Sequence, residues 1–372
     1  MVNHTSESIG KLASSELREA FRELLGAGPG VHLIAQQKLS GKRTYRAQAQ
    51  VDGAVRSLIV KRLRPHIAQR NEMLTKRWLP AVGLGEAVPA LLGVAAERHG
   101  KYVWHIYEDL GESSLVTKDA AKGVPGKGRG LASSGVFTTP ERIEAAVGLI
   151  AEVHARFRGH PLLGECRLLG GDCGNAFFTS SVRDAIHGLE ALRTLKEYLS
   201  PERRALVERL LSEMRALLEQ QARRVEVLEK YGRPETLLHG DFWPINVMVR
   251  HDGQAFRAWL IDWDHVGVGP VSFDLSNFLG HFPREQRQWI LSRYLEVMRQ
   301  LGWYFSPDTD WNLLFDTAES SRLANAVYWA ASAILEGERT EWAFDDLAIV
   351  EQWGRMLEPM LPLQSAGEGV GA

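Results

Sequence analysis

Residues 237–274 read LLHGDFWPINVMVRHDGQAFRAWLIDWDHVGVGPVSFD, and the rest of the chain is organised around them. At their centre, Asp252-Gly253 suits a tight turn, because Gly tolerates positive φ and Asp tolerates the left-handed region. Asn246 to Arg250 on one side and Ala255 to Ile261 on the other have the branched, apolar character of strands. Folded as a β-hairpin, they bring their outer ends together. One end then carries His239, Gly240, Asp241 and Asn246, and the other Asp262 and Asp264. Like charges gathered this way repel unless a cation or a proton lies between them. A divalent metal is the economical explanation.

The chain has 372 residues, 45% of them hydrophobic and 24% charged. That length suggests two domains or one two-lobed domain, and that composition an ordinary soluble globular protein. Its formal net charge of -2 hides an asymmetry: 14 basic against 6 acidic residues up to position 80, and 3 against 12 from Ser306 onward. Two cysteines, Cys166 and Cys173, have neither metal-ligand spacing nor a disulfide framework, which fits a reducing, cytoplasmic setting. The N-terminus lacks the apolar stretch of a secretory signal. No apolar run approaches the roughly 20 residues needed to span a bilayer, so no membrane partner is expected.

In chain order, a short helix is expected over 14–25, then strands over 31–36, 44–51 and 55–63, a helical run over 66–79, and strands over 90–95 and 101–107. The first hairpin has Gly41-Lys42-Arg43 near its tip, a backbone and charge combination that can cover phosphates; one glycine equally suits a plain surface hairpin. Lys61 follows three apolar residues on the third strand, where alternation turns it toward the side of Ile59. A lysine held there needs an anionic partner, and Glu72 on the next helix can pair with it. Residues 116–138 form a long patternless loop, either functional or disordered. Its cationic residues lack the interleaved aromatics of a nucleic-acid patch. From Pro140 the chain is mainly helical, with one long amphipathic helix expected from Ser200-Pro201 to Gly232, further helices over 284–301, 311–335 and 345–360, and a disordered tail over 365–372. A β-rich start followed by helices around one hairpin predicts an α+β fold, with an N-lobe over 1–110 and a C-lobe over 111–364.

Phosphoryl transfer needs a cover and a cation for the phosphates, hard oxygen ligands for magnesium, and a carboxylate to orient the attacking hydroxyl. Asp241 is the candidate base, Asn246 and Asp262 are candidate metal ligands, and Lys61 with Glu72 is the candidate phosphate-holding pair. HGDFWPIN resembles the HGDxxxxN catalytic loop of the aminoglycoside phosphotransferase and choline kinase group, and IDWD resembles its magnesium-binding segment. The hinge-like YEDLG at 107–111 and GPVSFDLSNF around Asp274 extend the resemblance over roughly Leu39 to Leu279. It implies a two-lobed, protein-kinase-like fold using ATP and Mg2+, the N-lobe binding nucleotide and the C-lobe the acceptor, with adenine against Glu108 to Leu110. Supporting roles fall to His239, which orients the loop, to Asp264, and to Asp274, which braces the loop backbone. His154 matches a position that the family often fills with His and is expected to be a satisfied core residue. The lone Gly41 departs from a Gly-rich consensus.

Only 12 positions separate Asp262 from Asp274, too few for the longer activation segment with which a protein kinase docks a polypeptide. A small hydroxylated acceptor is therefore favoured. The acidic C-terminal third (Asp308, Asp310, Asp316, Glu319, Glu336, Glu338, Asp345, Asp346) suits an aminoglycoside polycation. Its aromatics (Trp303, Tyr304, Trp311, Tyr328, Trp329, Trp342, Phe344) suit a quaternary ammonium or a sugar. Both sets equally suit core and solvent faces. An aminoglycoside-like antibiotic is the favoured acceptor; the alternatives are a metabolite kinase for choline, ethanolamine, fructosamine or similar, and a nucleotide-binding scaffold without transfer activity.

Overall fold

The structure is a computed structural model, and it describes residues 15–25, 32–40, 43–51, 54–116, 138–195, 199–337, 340–355 and 357–362. The expectations for Gly41, the Asp52-Gly53 turn, most of the 116–138 loop and the 365–372 tail lie outside these residues. The chain divides into one unit of 1–113 plus Ala258–Asp264 and a second of 114–257 plus 265–372.

In the first unit, β1 (His32–Ser40), β2 (Thr44–Val51), β3 (Ala54–Leu63), β4 (Leu91–Ala96) and β5 (Val103–Glu108) form an antiparallel sheet of order β1-β2-β3-β5-β4. Alternation along β3 decides what each face does. Leu58 and Val60 point into a core with Tyr45, Ala47, Trp104 and Ile106, closed by Leu17 and Phe21 of the helix Ser15–Leu25. Ile59 and Lys61 therefore fall on the opposite face. The expected helix over 66–79 is α-helical only over Pro65–Met73, then widens into a π turn over Leu74–Trp78, both ends of which are fully buried.

The second unit is built on helices. Its core joins Asn175–Thr194, Pro201–Glu219, Trp311–Leu335 and Thr340–Arg355 through Phe178, Leu189, Leu210, Met214, Ala324 and Leu347. The single helix expected from Pro201 to Gly232 is two, Pro201–Glu219 and Gln221–Tyr231, parted at Gln220. Its start matches the expectation: Pro201 stands at the first position and the Ser200 hydroxyl accepts from the Arg203 N–H. Asn175–Thr194 is buried along one side and is a helix that the sequence reading does not single out. A short strand β6 (Thr236–Leu238) delivers the HGD loop, β7 (Val247–His251) and β8 (Phe256–Leu260) make the hairpin, and β9 (Gly267–Gly269) pairs antiparallel with β6. Asp252 closes the hairpin turn, its carboxylate accepting from the N–H groups of Gln254 and Ala255. Among the described residues no helix is long and apolar enough to cross a membrane.

Candidate active site

In the second unit the loop after β6 is held by one buried carboxylate. Asp274, fully buried on the helix Ser272–Leu279, accepts from the backbone N–H of His239 at 2.7 Å and of Gly240 at 2.9 Å. His154 stands 3.2 Å from the same carboxylate and bonds through its other nitrogen to the Tyr294 hydroxyl at 2.9 Å. Burial pushes the Asp274 carboxyl up, but His154, His239 and the loop N–H groups outweigh it and hold it below the usual range. Gly240 has a φ of 79°, and a Cβ there would run into the His265 carbonyl, so the residue before Asp241 must be glycine. His239 is fully buried, with Nδ1 accepting from the Asp241 N–H at 3.3 Å, an orienting position. Phe242 stacks on Phe278 at 4.4 Å and pins the loop to the same helix.

This frame presents Asp241. The Asn246 amide donates to Asp241 Oδ2 at 3.1 Å and to its backbone carbonyl at 3.0 Å. From the helix Ser272–Leu279, Asn277 donates to Asp241 Oδ1 at 3.4 Å, and the Asn277 carbonyl meets His281 Nδ1 at 2.7 Å. Both carboxylate oxygens thus face amide N–H groups. Because the Asn246 NH2 is committed to Asp241, its Oδ1 is the atom left for a cation. Burial pushes the His281 imidazole below its ordinary pKa. Asn277 and His281 escape the sequence reading; their spacing of four is the only trace, and it looks like any helix face.

In the first unit the β8 end carries a second cluster. Asp262 has a φ of 65°, a left-handed conformation that is uncommon away from glycine and better tolerated by Asp than by most residues. The Lys61 ammonium is bound by Asp262 and, at 2.7 Å, by Asp264. Burial pushes the Lys61 pKa down, but the two carboxylates overcome it and hold it above the ordinary value. Asp264 is further fixed by the Asn71 amide at 3.1 Å and, through its backbone carbonyl, by Arg70 at 2.7 Å. The pair expected between Lys61 and Glu72 is not formed. Glu72 instead binds Lys76 at 3.1 Å and faces His105 at 3.6 Å. The reason is that Asp262 and Asp264 lie within reach of Lys61 and already neutralise it, a proximity that sequence distance conceals.

The hinge segment is tied down as well. The Glu108 N–H donates to the Ala90 carbonyl, and its carboxylate accepts from the Ala90 N–H at 2.9 Å. Asp109 takes Arg46 at 2.7 Å, the Ser57 hydroxyl and the Gly111 N–H, and Leu110 is buried.

The C-terminal acidic residues are partly spent on structure. Asp310 caps Trp311–Leu335, Asp316 pairs with Arg224 at 2.7 Å, and buried Glu319 pairs with Arg322, which also donates to the Phe273 carbonyl. Of the aromatics, Trp303 and Phe344 are core, whereas Tyr304, Trp329 and Trp342 are exposed. Among the described residues no group of three or more His, Cys, Asp or Glu forms a ready metal cage.

A 4-hydroxytryptamine kinase from Psilocybe cyanescens is 37% identical over 57 residues, 14% of this chain and 16% of that protein. A spectinomycin phosphotransferase, solved in complex with ADP and spectinomycin, superposes with a TM-score of 0.56 at 13% identity, covering 92% of this chain and 95% of its own. An ethanolamine kinase from Plasmodium vivax gives a TM-score of 0.52 at 11% identity, covering 94% and 85% respectively. These two establish a kinase-like fold, an N-terminal antiparallel sheet followed by a mainly helical part. The model of the APH phosphotransferase enzyme family matches residues 37–304, most of the chain, and the protein is a member of that family.

Proposed function

We propose that the chain is an ATP- and magnesium-dependent O-phosphotransferase that transfers the γ-phosphate to a hydroxyl of a small molecule. The observation that carries this reading is Asp241, a carboxylate held on both oxygens by Asn246 and Asn277 on a loop that Asp274 braces from behind. A general base needs a fixed carboxylate with lone pairs aimed at one place. Asp241 would accept the acceptor's hydroxyl proton as that oxygen bonds to the γ-phosphorus and the bond to the β-bridging oxygen breaks, releasing ADP.

Lys61 would hold the phosphates, exchanging its hold on Asp262 and Asp264 for nucleotide oxygens. Its pairing with two carboxylates supports this reading, since the ammonium already meets anions. The two expected magnesium ligands have the right chemistry: Asp262 of the first unit offers a carboxylate with a side chain 47% exposed, and Asn246 of the second an amide oxygen. Both are hard oxygen donors, and magnesium takes few protein ligands, completing its shell with water and phosphate. Bound there, the ion would neutralise charge developing on the transferred group. The thiols of Cys166 and Cys173 fit a reducing cytoplasm.

The acceptor is an aminoglycoside-like antibiotic or a metabolite alcohol. Local neutralisation of Asp316 and Glu319 by arginine weakens the polycation argument and favours an acceptor of lower charge. An ADP-release screen against aminoglycosides, macrolides, amino alcohols and sugar amines tests the reading. Tight ATP binding with no phosphorylated product from any acceptor would favour a non-catalytic scaffold. Acceptor affinity that falls steeply with salt would return the assignment to a polycation.

A further inference from the structure

The sheet of the first unit carries an arginine that the reaction has not used. Arg46 on β2 lies directly opposite Ile59 on β3, as Thr44 lies opposite Lys61, so Arg46 stands on the same sheet face as Lys61. Its guanidinium reaches the segment after β5 at two points. Nη2 donates to Asp109 Oδ1 at 3.1 Å and to the Gly111 carbonyl at 3.1 Å, while Nε stands 2.7 Å from Asp109 Oδ2. Asp109 in turn folds the segment on itself. Its Oδ1 accepts from the Gly111 N–H at 2.9 Å, and its Oδ2 accepts from the Ser57 hydroxyl of β3 at 2.5 Å. Gly111 completes the turn with a φ of 75°.

We propose that Arg46 is the positioning residue of the hinge: it fixes the Leu110 N–H as the donor that reads the nucleotide base, and so selects adenine over guanine. This inference rests on the reading of the chain as a nucleotide-dependent phosphotransferase with the base against residues 108–110.

The bonds already made in this segment decide which groups are left for a base. The Glu108 N–H is taken by the Ala90 carbonyl and the Gly111 N–H by Asp109. The Leu110 carbonyl accepts from the Ser113 hydroxyl and the Gly111 carbonyl from Arg46. Among the described residues the Leu110 N–H makes no hydrogen bond. A fixed N–H donor meets adenine at its ring nitrogen N1, an acceptor. Guanine carries an N–H at that position and would set donor against donor, leaving both unsatisfied. This discrimination requires that the peptide cannot turn away. Gly111 gives the turn backbone freedom, and Arg46 removes it by tying residues 109 and 111 together to β2. The planar fork suits the task, because it holds two acceptors at a fixed separation, which a single ammonium does not. The Arg46 and Asp109 side chains are only 15% and 6% exposed, so water does not loosen the clasp. Burial pushes the Asp109 carboxyl up, but Ser57, Arg46 and the Gly111 N–H outweigh it and hold it below the usual range, which keeps the clasp ionised at neutral pH.

The test compares ligands that differ in their base. Calorimetry on the full chain measures the affinities of ADP, GDP and inorganic tripolyphosphate, the last of which has no base. The parent should bind ADP at least about tenfold more tightly than GDP. Arg46→Gln should weaken ADP about tenfold while GDP and tripolyphosphate stay within about twofold, the effect of losing one well-placed hydrogen bond. Arg46→Lys keeps the charge without the fork and should fall between the two. Ser57→Ala removes one outer bond to the same carboxylate and serves if neither Arg46 variant folds; it should lower the ADP-to-GDP ratio about two- to threefold. An unchanged ratio in whichever of these variants folds would overturn the proposal. So would equal weakening of all three ligands, since Arg46 would then support the unit as a whole and not the base. A parent that binds ADP and GDP alike would also overturn it, while leaving phosphoryl transfer intact. Conversely, absence of transfer to every acceptor in a protein that keeps its preference for ADP would defeat the functional reading and leave the clasp standing.

Discussion

Two carboxylates at the two ends of one hairpin are held in opposite ways. Asp241 is gripped by neutral amides, Asn246 and Asn277, on a loop whose backbone is fastened to buried Asp274. Asp262 stands in a left-handed conformation against a lysine, with half its side chain in solvent. Amide hydrogen bonds fix direction and leave the charge on the carboxylate, whereas an ion pair cancels charge and can trade partners. The first arrangement suits a group that must aim at one proton. The second suits groups that exchange one another for a metal and a phosphate during a cycle.

The largest effects should follow from removing either carboxylate. Asp241→Ala is expected to lower kcat by roughly 10²–10⁴, the usual contribution of a general base. In a loose transition state most of the catalysis lies in positioning and charge neutralisation, so Asp262→Ala should be at least as damaging. Steady-state ADP release with a competent acceptor measures both. Normal turnover by Asp262→Ala would break the comparison, because the exchanging carboxylate would then be a spectator.

Next in size is the brace. Asp274→Ala leaves two buried N–H groups and His154 without their acceptor, a loss of about 3–5 kcal/mol on the scale of broken buried polar pairs. Equilibrium urea unfolding should show it, and the residual folded enzyme should be poorly active because the Asp241 loop is released. Gly240→Ala acts on the same loop by a different route, since its Cβ meets the His265 carbonyl. Should Asp274→Ala be as stable as the parent, the loop would be rigid by itself and the contrast with Asp262 would rest on the amides alone.

How much of this is legible in the sequence follows from what sequence patterns encode. Alternation puts Lys61 beside Ile59, and the expected helices over 311–335 and from Pro140 have the bounds the structure gives, Trp311–Leu335 and Pro140–Phe157. Period and capping are local properties, so a local reading recovers them. The partner of Lys61 is not local: Glu72 on the next helix is the nearer acid in sequence, yet two acids about 200 positions away bind the ammonium. Asn277, His281 and His105 escape for the same reason, since each acquires meaning only from what folds against it. The acidic C-terminal third misleads in the opposite sense, since composition counts Asp316 and Glu319 as available while Arg224 and Arg322 hold them.

Asn277 tests the amide grip itself at smaller cost. Its contact with Asp241 is long, 3.4 Å, so Asn277→Ala should cost about 1 kcal/mol in transition-state stabilisation, close to a five- to tenfold drop in kcat. Asn277→Asp should be worse, because it sets a like charge against the base. An Asn277→Ala enzyme with unchanged kcat would assign the aim of Asp241 to Asn246 alone.

A last effect concerns acid stability and distinguishes the two units by their titrating groups. His105 has its pKa lowered from 6.5 to about 4, mainly by burial, so the folded state binds its proton less readily than the unfolded chain. The unfolded state then holds more protons between those values, and stability rises with pH across that window. The contribution is complete above about pH 6.5 and is lost as pH falls toward 4, amounting to at most about 3 kcal/mol. His281 in the second unit is lowered in the same direction and adds to the slope. Asp274 is lowered from 3.8, so its contribution is lost only below that pH, and Lys61, raised from 10.5, acts only in alkali. Urea unfolding from pH 4 to 7 should therefore show a slope that His105→Gln reduces and that Asp274→Asn leaves in place. If His105→Gln left the slope unchanged, the acid sensitivity would belong to His281, and the buried ring beside Lys61 would not be the neutral group its surroundings require.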